Sequence, residues 1–231
     1  MSRSLLILIV LSLPVTAPAE TPPEQTAAIM ALRGHTSNIQ KNRDGTVRFV
    51  RFSKPLVRDF HLSHIPAFVQ IDYLAVVTPH VTDDGLSHIR GLKNLDTLVL
   101  SHTQLSDTGL AVLEGLDKLA ILYIDDTRIT SEGLQHVAPL PVLKTLWLAD
   151  TRVTSDGVAT LAPLKTLEVL NLAGTDVDDQ ALAAIGKLST LKSLYLDRTS
   201  ITGATLKQLA SLKQLEFLSL ADTPLTDDAA E

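Results

Sequence analysis

LKTLWLADTRVTSDGVATLAPLKT, residues 143–166, is one copy of a unit that recurs along most of this 231-residue chain. Each copy begins with an apolar residue, and every step from one copy to the next is 24 residues. The copies begin at Val47, Ile71, Leu95, Leu119, Leu143, Leu167, Leu191 and Leu215. A fixed period of roughly 20–50 residues indicates a solenoid, in which each unit stacks on its neighbours.

Each unit, numbered from 1 to 24, predicts one strand, one turn and one short helix. Positions 4 to 6 alternate between inward and outward side chains, as a strand does. Positions 16, 19 and 22 are apolar at helical spacing, as in Leu110, Leu113 and Leu116. Good N-cap residues mark the predicted helix starts at Asp83, Asp107, Ser131, Ser155 and Asp179. The predicted class is therefore α/β, a right-handed solenoid or horseshoe with a concave parallel β-sheet and convex short helices.

Two further columns of the repeat predict packing rather than chemistry. Position 9 carries Thr103, Thr127, Thr151, Thr175, Thr199 and Thr223. We expect a ladder of buried hydroxyls that bond the backbone where each strand turns inward. Position 15 carries Gly85, Gly109, Gly133 and Gly157, but Ala181 in a later unit. Close packing of the helices is the expected reason for these glycines.

The first 19 residues are interpreted as a secretory signal peptide. Arg3 supplies a positive start, residues 5–13 are almost entirely apolar, and Ala17-Pro18-Ala19 is a small-x-small cleavage site. The apolar run is shorter than the about 20 residues that a membrane span needs, although an uncleaved anchor is the alternative. We predict an exported protein, periplasmic or secreted, and the absence of cysteine agrees with export.

Residues 20–46 are predicted to form a linker and an N-terminal cap. A polar linker at 20–26 leads to a short amphipathic helix at 27–32, which stops near Gly34. A strand near 37–40 then joins a strand at 47–52 through the Asp44-Gly45 turn. The repeat domain spans 47–231, with seven full units and a partial eighth. Because no C-terminal cap is visible in it, we expect a fragment, a partner or a second copy of the chain at that edge.

Composition excludes several classes of function. The net charge is −6 with no basic run, so a nucleic-acid footprint is not expected. Without cysteine there is no disulfide and no cysteine-based metal site. His64, His88 and His136 share position 18, but packed helices lie about 8–10 Å apart, too far for shared ligation of one ion.

The pattern L-x-x-L-x-L-x-x-T-x-[VIL]-[TS]-[DS]-x-G-[LV] resembles a 24-residue bacterial class of leucine-rich repeats. That class is similar to the ribonuclease-inhibitor-like and GALA-type repeats. The match covers 47–231 and is clearest over 95–202. The resemblance implies a non-enzymatic binding scaffold with diverse partners. GALA-type relatives join their repeats to an F-box, and no F-box is visible here.

The candidate binding site is the column at position 5, whose side chains point out of the predicted concave sheet. The chain has one Trp and three Tyr, and Tyr123, Trp147 and Tyr195 all lie in this column. Strands about 4.8 Å apart would bring Tyr123 and Trp147 into contact and leave Tyr195 roughly 10 Å from Trp147. The full predicted partner-binding set is Tyr123, Asp125, Asp126, Trp147, Asp150, Asn171, Tyr195, Asp197 and Arg198.

Within this set, Asn171 with Ala173 and Gly174 is expected to form a notch of small residues between the aromatic side chains. Exposed aromatic side chains on a rigid sheet favour a protein partner, with a cationic or polar segment suited to the acidic edge. Stacking on sugar rings makes a cell-wall or extracellular glycan the second class of ligand. The third interpretation is that the aromatic side chains only stabilise the sheet.

An enzyme is the competing class of function. Asp126 and Asp150 share position 8 in adjacent units, so their carboxyl groups could lie about 5 Å apart, as in a retaining glycosidase. The same pair could hold Ca²⁺ loosely, but this ion needs more oxygen ligands. No motif predicts a deep cleft or a catalytic triad. We therefore predict no catalytic residue, no metal and no cofactor.

Overall fold

The computed structural model describes residues 20–226 and contains one nine-stranded sheet with its strands in chain order. The predicted signal peptide at 1–19 lies outside the described residues. The strands are β1 Asn38–Lys41, β2 Val47–Phe52, β3 Tyr73–Val76, β4 Thr97–Val99, β5 Ile121–Tyr123, β6 Thr145–Trp147, β7 Val169–Asn171, β8 Ser193–Tyr195 and β9 Phe217–Ser219. The first pair is antiparallel and every later pair is parallel. The predicted parallel solenoid is therefore confirmed.

The register of the sheet follows the sequence period. Leu98 of β4 lies opposite Leu122 of β5, and Leu122 lies opposite Leu146 of β6. Each residue therefore neighbours the residue 24 positions along the chain, and each repeat position becomes a straight column across the sheet. All three leucines are fully buried. The columns at positions 3, 5 and 7 lie on the opposite face, because strand side chains alternate between faces.

The second layer consists of short helices, as predicted. The α-helices are α1 Pro23–Ala31, α2 Asp59–Leu62, α3 Asp83–Leu86, α4 Leu134–Val137, α5 Ser155–Ala159 and α6 Ala181–Ile185. The 3₁₀ helices are Ile65–Ala67, Ser87–Ile89, Asp107–Leu113, Ser131–Gly133 and Leu206–Ser211. Helices this short are marginal in isolation, so packing against the sheet stabilises them.

The N-terminal cap begins earlier than predicted. Helix α1 starts at Pro23, within the segment expected to be a linker. Proline at the first helical position has its backbone angle set in advance for a helix. Gln25 is buried, and its Oε1 accepts a hydrogen bond of 2.8 Å from the backbone N of Val47, which ties the helix to β2. The predicted first strand and its Asp44-Gly45 turn are confirmed, because β1 pairs with β2 across this turn.

The threonine ladder at position 9 is also confirmed. In each of these units the hydroxyl donates to the carbonyl oxygen three residues earlier, and the Thr151 bond to Leu148 measures 2.6 Å. The residue before each threonine, at position 8, is in the left-handed region, where the strand turns toward the helix layer. The equivalent donors are Thr103, Thr127, Thr175, Thr199 and Thr223.

The assignment of the position-13 residues as N-caps of their own helices is wrong. Asp83 is the first residue of α3, and Thr82 caps the helix by accepting from the backbone N of Asp84. The Asp83 carboxylate instead accepts from the backbone N of Ser106 in the next unit, at 2.9 Å. The same bond to the next unit is made by Asp59, Asp107, Ser131, Ser155 and Asp179. These side chains join successive units.

This ladder also explains the glycines at position 15. A Cβ on Gly133 would overlap the Asp107 carboxylate, which is occupied with the backbone N of Thr130. Gly85, Gly109 and Gly157 face the equivalent side chain of the preceding unit in the same way. The prediction that these glycines permit close packing is confirmed. The contact is with a polar side chain at the start of the neighbouring helix.

The core is a continuous column of apolar side chains, mostly aliphatic, between the sheet and the helices. It changes at β9, where Phe217 and Leu218 are 46% and 39% exposed. Leu218 occupies position 4, which is fully buried in the earlier units. A dimer through this edge stays a prediction.

Candidate functional site

Position 5 forms one column along the open face of the sheet. Tyr123 lies opposite Trp147, Trp147 opposite Asn171, and Asn171 opposite Tyr195. The rings of Tyr123 and Trp147 lie 5.1 Å apart, so their predicted contact is confirmed. Phe217, at position 3 of the last unit, extends the row, with its ring 4.9 Å from Tyr195. We call Tyr123, Trp147, Tyr195 and Phe217 the aromatic strip.

The predicted separation of Trp147 and Tyr195 is wrong. Two strand intervals amount to about 10 Å, but the ring centroids are 5.9 Å apart at an interplanar angle of 49°. The two rings converge above the strand that separates them. This tilted arrangement is one that aromatic pairs prefer. The aromatic strip is therefore continuous from β5 to β9.

The predicted notch of small residues is absent for the same reason. Asn171 is only 6% exposed, and its Oδ1 accepts a hydrogen bond of 2.9 Å from the backbone N of Ala173. Ala173 is buried as well. Asn171 therefore supports the strip from below and offers little surface to a ligand. Spacing along the column correctly placed Asn171 but could not show that large neighbours would cover it.

The acids at position 7 bond to neighbouring units. Asp125 accepts from the backbone N of Ala149 at 3.0 Å and from the Ser101 hydroxyl at 3.1 Å. Asp197 accepts from the backbone N of Ala221 at 2.9 Å and from the Ser219 hydroxyl. Both aspartates are half-buried. Their main role in the free chain is to join strands at the edge of the aromatic strip.

Burial changes the ionisation of this part of the strip. Desolvation raises the pKa of Asp125, although its hydrogen bonds from Ala149 and Ser101 oppose the rise. Desolvation also raises the pKa of Tyr123, and the nearby Asp125 carboxylate adds to that rise. The Tyr123 phenol therefore stays protonated at neutral pH and can donate a hydrogen bond.

A charged rim runs beside the strip at position 8. We define the rim as His102, Asp126, Asp150, Gly174, Arg198 and Asp222, which all have left-handed backbone angles. His102 Nδ1 lies 2.8 Å from an Asp126 oxygen. Arg198 reaches across one unit to Asp150, with contacts of 2.9 and 3.2 Å to its two oxygens. A Cβ on Gly174 would overlap an Asp150 oxygen, so the glycine makes room for this bridge.

These pairs argue against the two-carboxylate catalytic interpretation. Asp126 pairs with His102 in the preceding unit, whereas Asp150 pairs with Arg198 two units further on. The Asp150 ion pair raises the pKa of Arg198, which is already a permanent cation. A depression of ≈ 580 Å³ beside the rim is lined by His102, Asp126 and Asp150 together with Arg128 and Arg152. Within residues 20–226 no group of three or more acidic or histidine side chains is arranged to hold a metal ion.

Sequence reasoning missed the aromatic side chains at position 3. Phe217 joins the aromatic strip, and Phe49 stacks on Tyr73 with ring centroids 4.3 Å apart. The signal was available, because positions 3 and 5 lie on the same face of a strand. One polar atom of the strip has no partner among the described residues, the buried Nε1 of Trp147. An unpaired buried donor costs free energy.

Comparison with known proteins agrees with this architecture. A family profile described as a leucine-rich repeat matches residues 164–186. No curated protein sequence gives a significant match. The repeat pattern, the parallel solenoid and this local profile match together show a leucine-rich-repeat fold.

Solved structures with the same fold come from bacteria and plants. An internalin from Listeria monocytogenes aligns with 72% of this chain and 53% of its own length, with a TM-score of 0.57 and 23% identity. The ectodomain of the Arabidopsis receptor kinase HAESA, in complex with an IDA peptide hormone, aligns with 86% of this chain and 38% of its own, with a TM-score of 0.57 and 18% identity. A plant peptide hormone receptor aligns with 82% and 37%, with a TM-score of 0.51. This chain thus spans about half of the internalin and about two fifths of the receptors, and identities this low establish the fold alone.

Among residues 20–226, no helix is long and apolar enough to cross a membrane.

Proposed function

We propose that this chain is a non-enzymatic binding protein that holds a segment of a protein partner on the open face of its sheet. The observation that carries the proposal is the aromatic strip, a continuous row of partly exposed rings on a rigid sheet. Tyr and Trp are enriched at the energetically dominant positions of protein interfaces. Their side chains offer a large contact area and lose little conformational entropy on binding.

The dimensions of the strip suit an extended polypeptide. Four strand intervals separate β5 from β9, which amounts to about 19 Å at the usual spacing of strands. An extended chain covers about 3.3 Å per residue, so roughly six residues would cross the strip.

The comparisons support a protein or peptide partner. HAESA and the plant peptide hormone receptor are described in complex with peptide ligands. These proteins share the fold at low identity and are longer than this chain, so their ligands do not transfer to it. They support only the inference that an extended ligand is compatible with a solenoid of this kind.

Export is part of the proposal. The pattern of residues 1–19 favours a secretory signal, and the internalin comparison is compatible with a bacterial surface or secreted protein. We infer an exported bacterial protein, periplasmic or secreted. The charged rim faces the same compartment as the aromatic strip and would contact polar groups of the partner.

A glycan is the second candidate ligand. Aromatic rings can stack on sugar rings, and the adjacent depression of ≈ 580 Å³ contains carboxylate and guanidinium groups that suit vicinal hydroxyls. The protein partner is favoured because the strip is a row of tilted rings crossing several strands. Protease and glycosidase treatment of the captured ligand distinguishes a protein from a glycan.

The test uses Trp147, which lies in the strip and is the only tryptophan of the chain. Three proteins would be used to capture ligands from an envelope extract. They are the mature chain (residues 20–231), a strip variant with Tyr123→Ala, Trp147→Ala and Tyr195→Ala, and a matched control. The control carries Leu56→Ala, Val69→Ala and Val142→Ala, three exposed apolar side chains outside the strip. We expect the mature chain and the control to retain the same species and the strip variant to lose it. The purified ligand is also expected to change Trp147 fluorescence.

Circular dichroism would first show that all three proteins fold. A retained species that protease destroys supports the protein partner, whereas one that only glycosidase destroys supports the glycan. Equal capture by the mature chain and the strip variant would contradict a function for the strip.

A further inference from the structure

A second part of the open face lies on the N-terminal side of the aromatic strip. A depression of ≈ 340 Å³ spans β2 to β5, and its floor includes Ala75, which is only 1% exposed. We call it the N-terminal basin. It is lined by Arg51, Tyr73, Val77, Val99, Ile121 and Tyr123. Thr97 completes the lining, which is therefore mostly aliphatic, with a tyrosine on two sides and one cation at the end.

That cation is available for binding. Arg51 is exposed, and within residues 20–226 its guanidinium makes no ion pair or hydrogen bond with another side chain. Two other cations along the sheet, in contrast, are paired: Arg48 lies 3.1 Å from Asp72, and Lys192 lies 2.7 Å from Glu168. Arg51 thus contributes uncompensated positive charge beside an apolar surface. This combination is complementary to a carboxylate that adjoins an aliphatic group.

The basin and the strip are continuous. Tyr123 forms one wall of the basin and also contacts Trp147 in the strip, with ring centroids 5.1 Å apart. Tyr73 on the opposite side is held by stacking on Phe49 at 4.3 Å. A segment that lies along the strip and continues toward the N-terminus of the sheet would therefore enter a basin with preformed walls.

We propose that the N-terminal basin is a specificity site that takes an aliphatic side chain of the bound polypeptide, while Arg51 pairs with an acidic side chain beside it. The inference rests on the proposed function, because it assigns the chemistry of the same partner. Arg51 and Val99 are two strand intervals apart, about 10 Å, so the acidic and aliphatic residues lie about three positions apart in an extended segment. A planar guanidinium binds a carboxylate through two parallel hydrogen bonds, which favours an acid over an amide.

A selection from a random library of nine-residue peptides tests this pairing. The peptides are acetylated and amidated, so that their only carboxylates are side chains. The baits are the unmodified chain, Arg51→Glu and the matched control Arg90→Glu, which reverses an exposed arginine after the 3₁₀ helix Ser87–Ile89. The strip variant Tyr123→Ala, Trp147→Ala, Tyr195→Ala is the fourth bait.

We expect the unmodified chain and Arg90→Glu to select an acidic residue about three positions from an aliphatic one. Arg51→Glu is expected to select a basic residue at the acidic position. In a selected peptide, Asp→Asn is expected to weaken binding to the unmodified chain about tenfold and to leave binding to Arg51→Glu no weaker.

Two other outcomes are distinguishable. If peptides are selected through the strip but Arg51→Glu keeps the charge preference of the unmodified chain, the basin assignment is overturned and the proposed function stands. If the unmodified chain selects nothing beyond what the strip variant selects, both proposals fail.

Discussion

The backbone turn that follows each strand depends on single residues at positions 8 and 9 of the repeat. Asp150 has φ of 54°, and Arg198 also has φ of 54°. The left-handed region costs an L-residue roughly 1–2 kcal/mol. The threonine that follows offsets part of this cost, because its buried hydroxyl satisfies a carbonyl at the turn. The same turn places the rim beside the aromatic strip.

We expect Thr151→Val to destabilise the fold by about 1–3 kcal/mol, because the Leu148 carbonyl would lose its donor where water has little access. Thr151 is 5% exposed. Urea unfolding followed by far-ultraviolet circular dichroism measures the change.

The matched control is Thr160→Val. Thr160 makes the same kind of bond, 2.8 Å to the carbonyl of Gly157, but on an exposed surface. Water can replace that donor, so the control is expected to stay within about 0.5 kcal/mol of the unmodified chain. Equal losses in both variants would show that burial of the hydroxyl is not what matters.

At the scale of elements, helix α2 depends on a buried histidine. His61 is 3% exposed, and the backbone N of Arg58 donates to its Nδ1 at 3.0 Å. Its ring lies 4.1 Å from that of His35 and 3.9 Å from that of Phe60. Burial lowers the pKa of His61; the hydrogen bond to the Arg58 backbone opposes this, and the charges of His35, His64 and Arg58 add to the lowering. The start of helix α2 is therefore capped by a neutral imidazole.

The sign of the pH dependence follows from that lowered pKa. An unfolded histidine titrates near pH 6.5, so on acidification the unfolded chain takes up the proton before the folded chain does. The contribution of His61 to stability is thus present above about pH 6.5 and is lost as the pH falls toward its folded pKa.

We expect His61→Gln to reduce the fall in unfolding free energy between pH 7.5 and pH 5.5, because glutamine at this helix position also accepts a backbone N–H and does not titrate. Urea unfolding at several pH values measures the slope. The exposed His80→Gln is the control and is expected to keep the slope of the unmodified chain. If His61→Gln also keeps that slope, the acid sensitivity lies elsewhere.

At the scale of the whole molecule, each unit contacts mainly its two neighbours. Stability is then approximately a sum of unit and interface terms. Leu146 and Leu218 share position 4, but Leu146 is fully buried and Leu218 is 39% exposed. The same substitution at these two places compares an interior unit with the last described strand.

We expect Leu146→Ala to cost about 2–5 kcal/mol, as for a large-to-small change in a packed core, and Leu218→Ala to cost under about 1 kcal/mol. Amide hydrogen exchange would show which strands lose protection in each variant. Leu218→Ala is expected to lower protection in β8 and β9 only, whereas Leu146→Ala lowers it in the units on both sides of β6. Similar losses at the two positions would contradict a nearest-neighbour solenoid.

Most of the architecture was predictable from the sequence because it depends on a period. A constant 24-residue step, the alternation of side chains in a strand and the spacing of strands are enough to place every column of the sheet. The threonine ladder and the contact between Tyr123 and Trp147 follow from that reasoning. The solenoid, its core and the location of an aromatic surface therefore follow from the pattern of residues along the chain.

The way in which the side chains of adjacent columns share space depends on tertiary contacts that the repeat pattern does not specify. Trp147 and Tyr195 converge over Asn171, and Asp125 bonds to the next unit through Ala149. Arg198 contacts Asp150 because Gly174 has no side chain that would overlap the pair. A period places the Cα atoms, but the direction of each side chain depends on the volume and charge of neighbours 24 or 48 residues away.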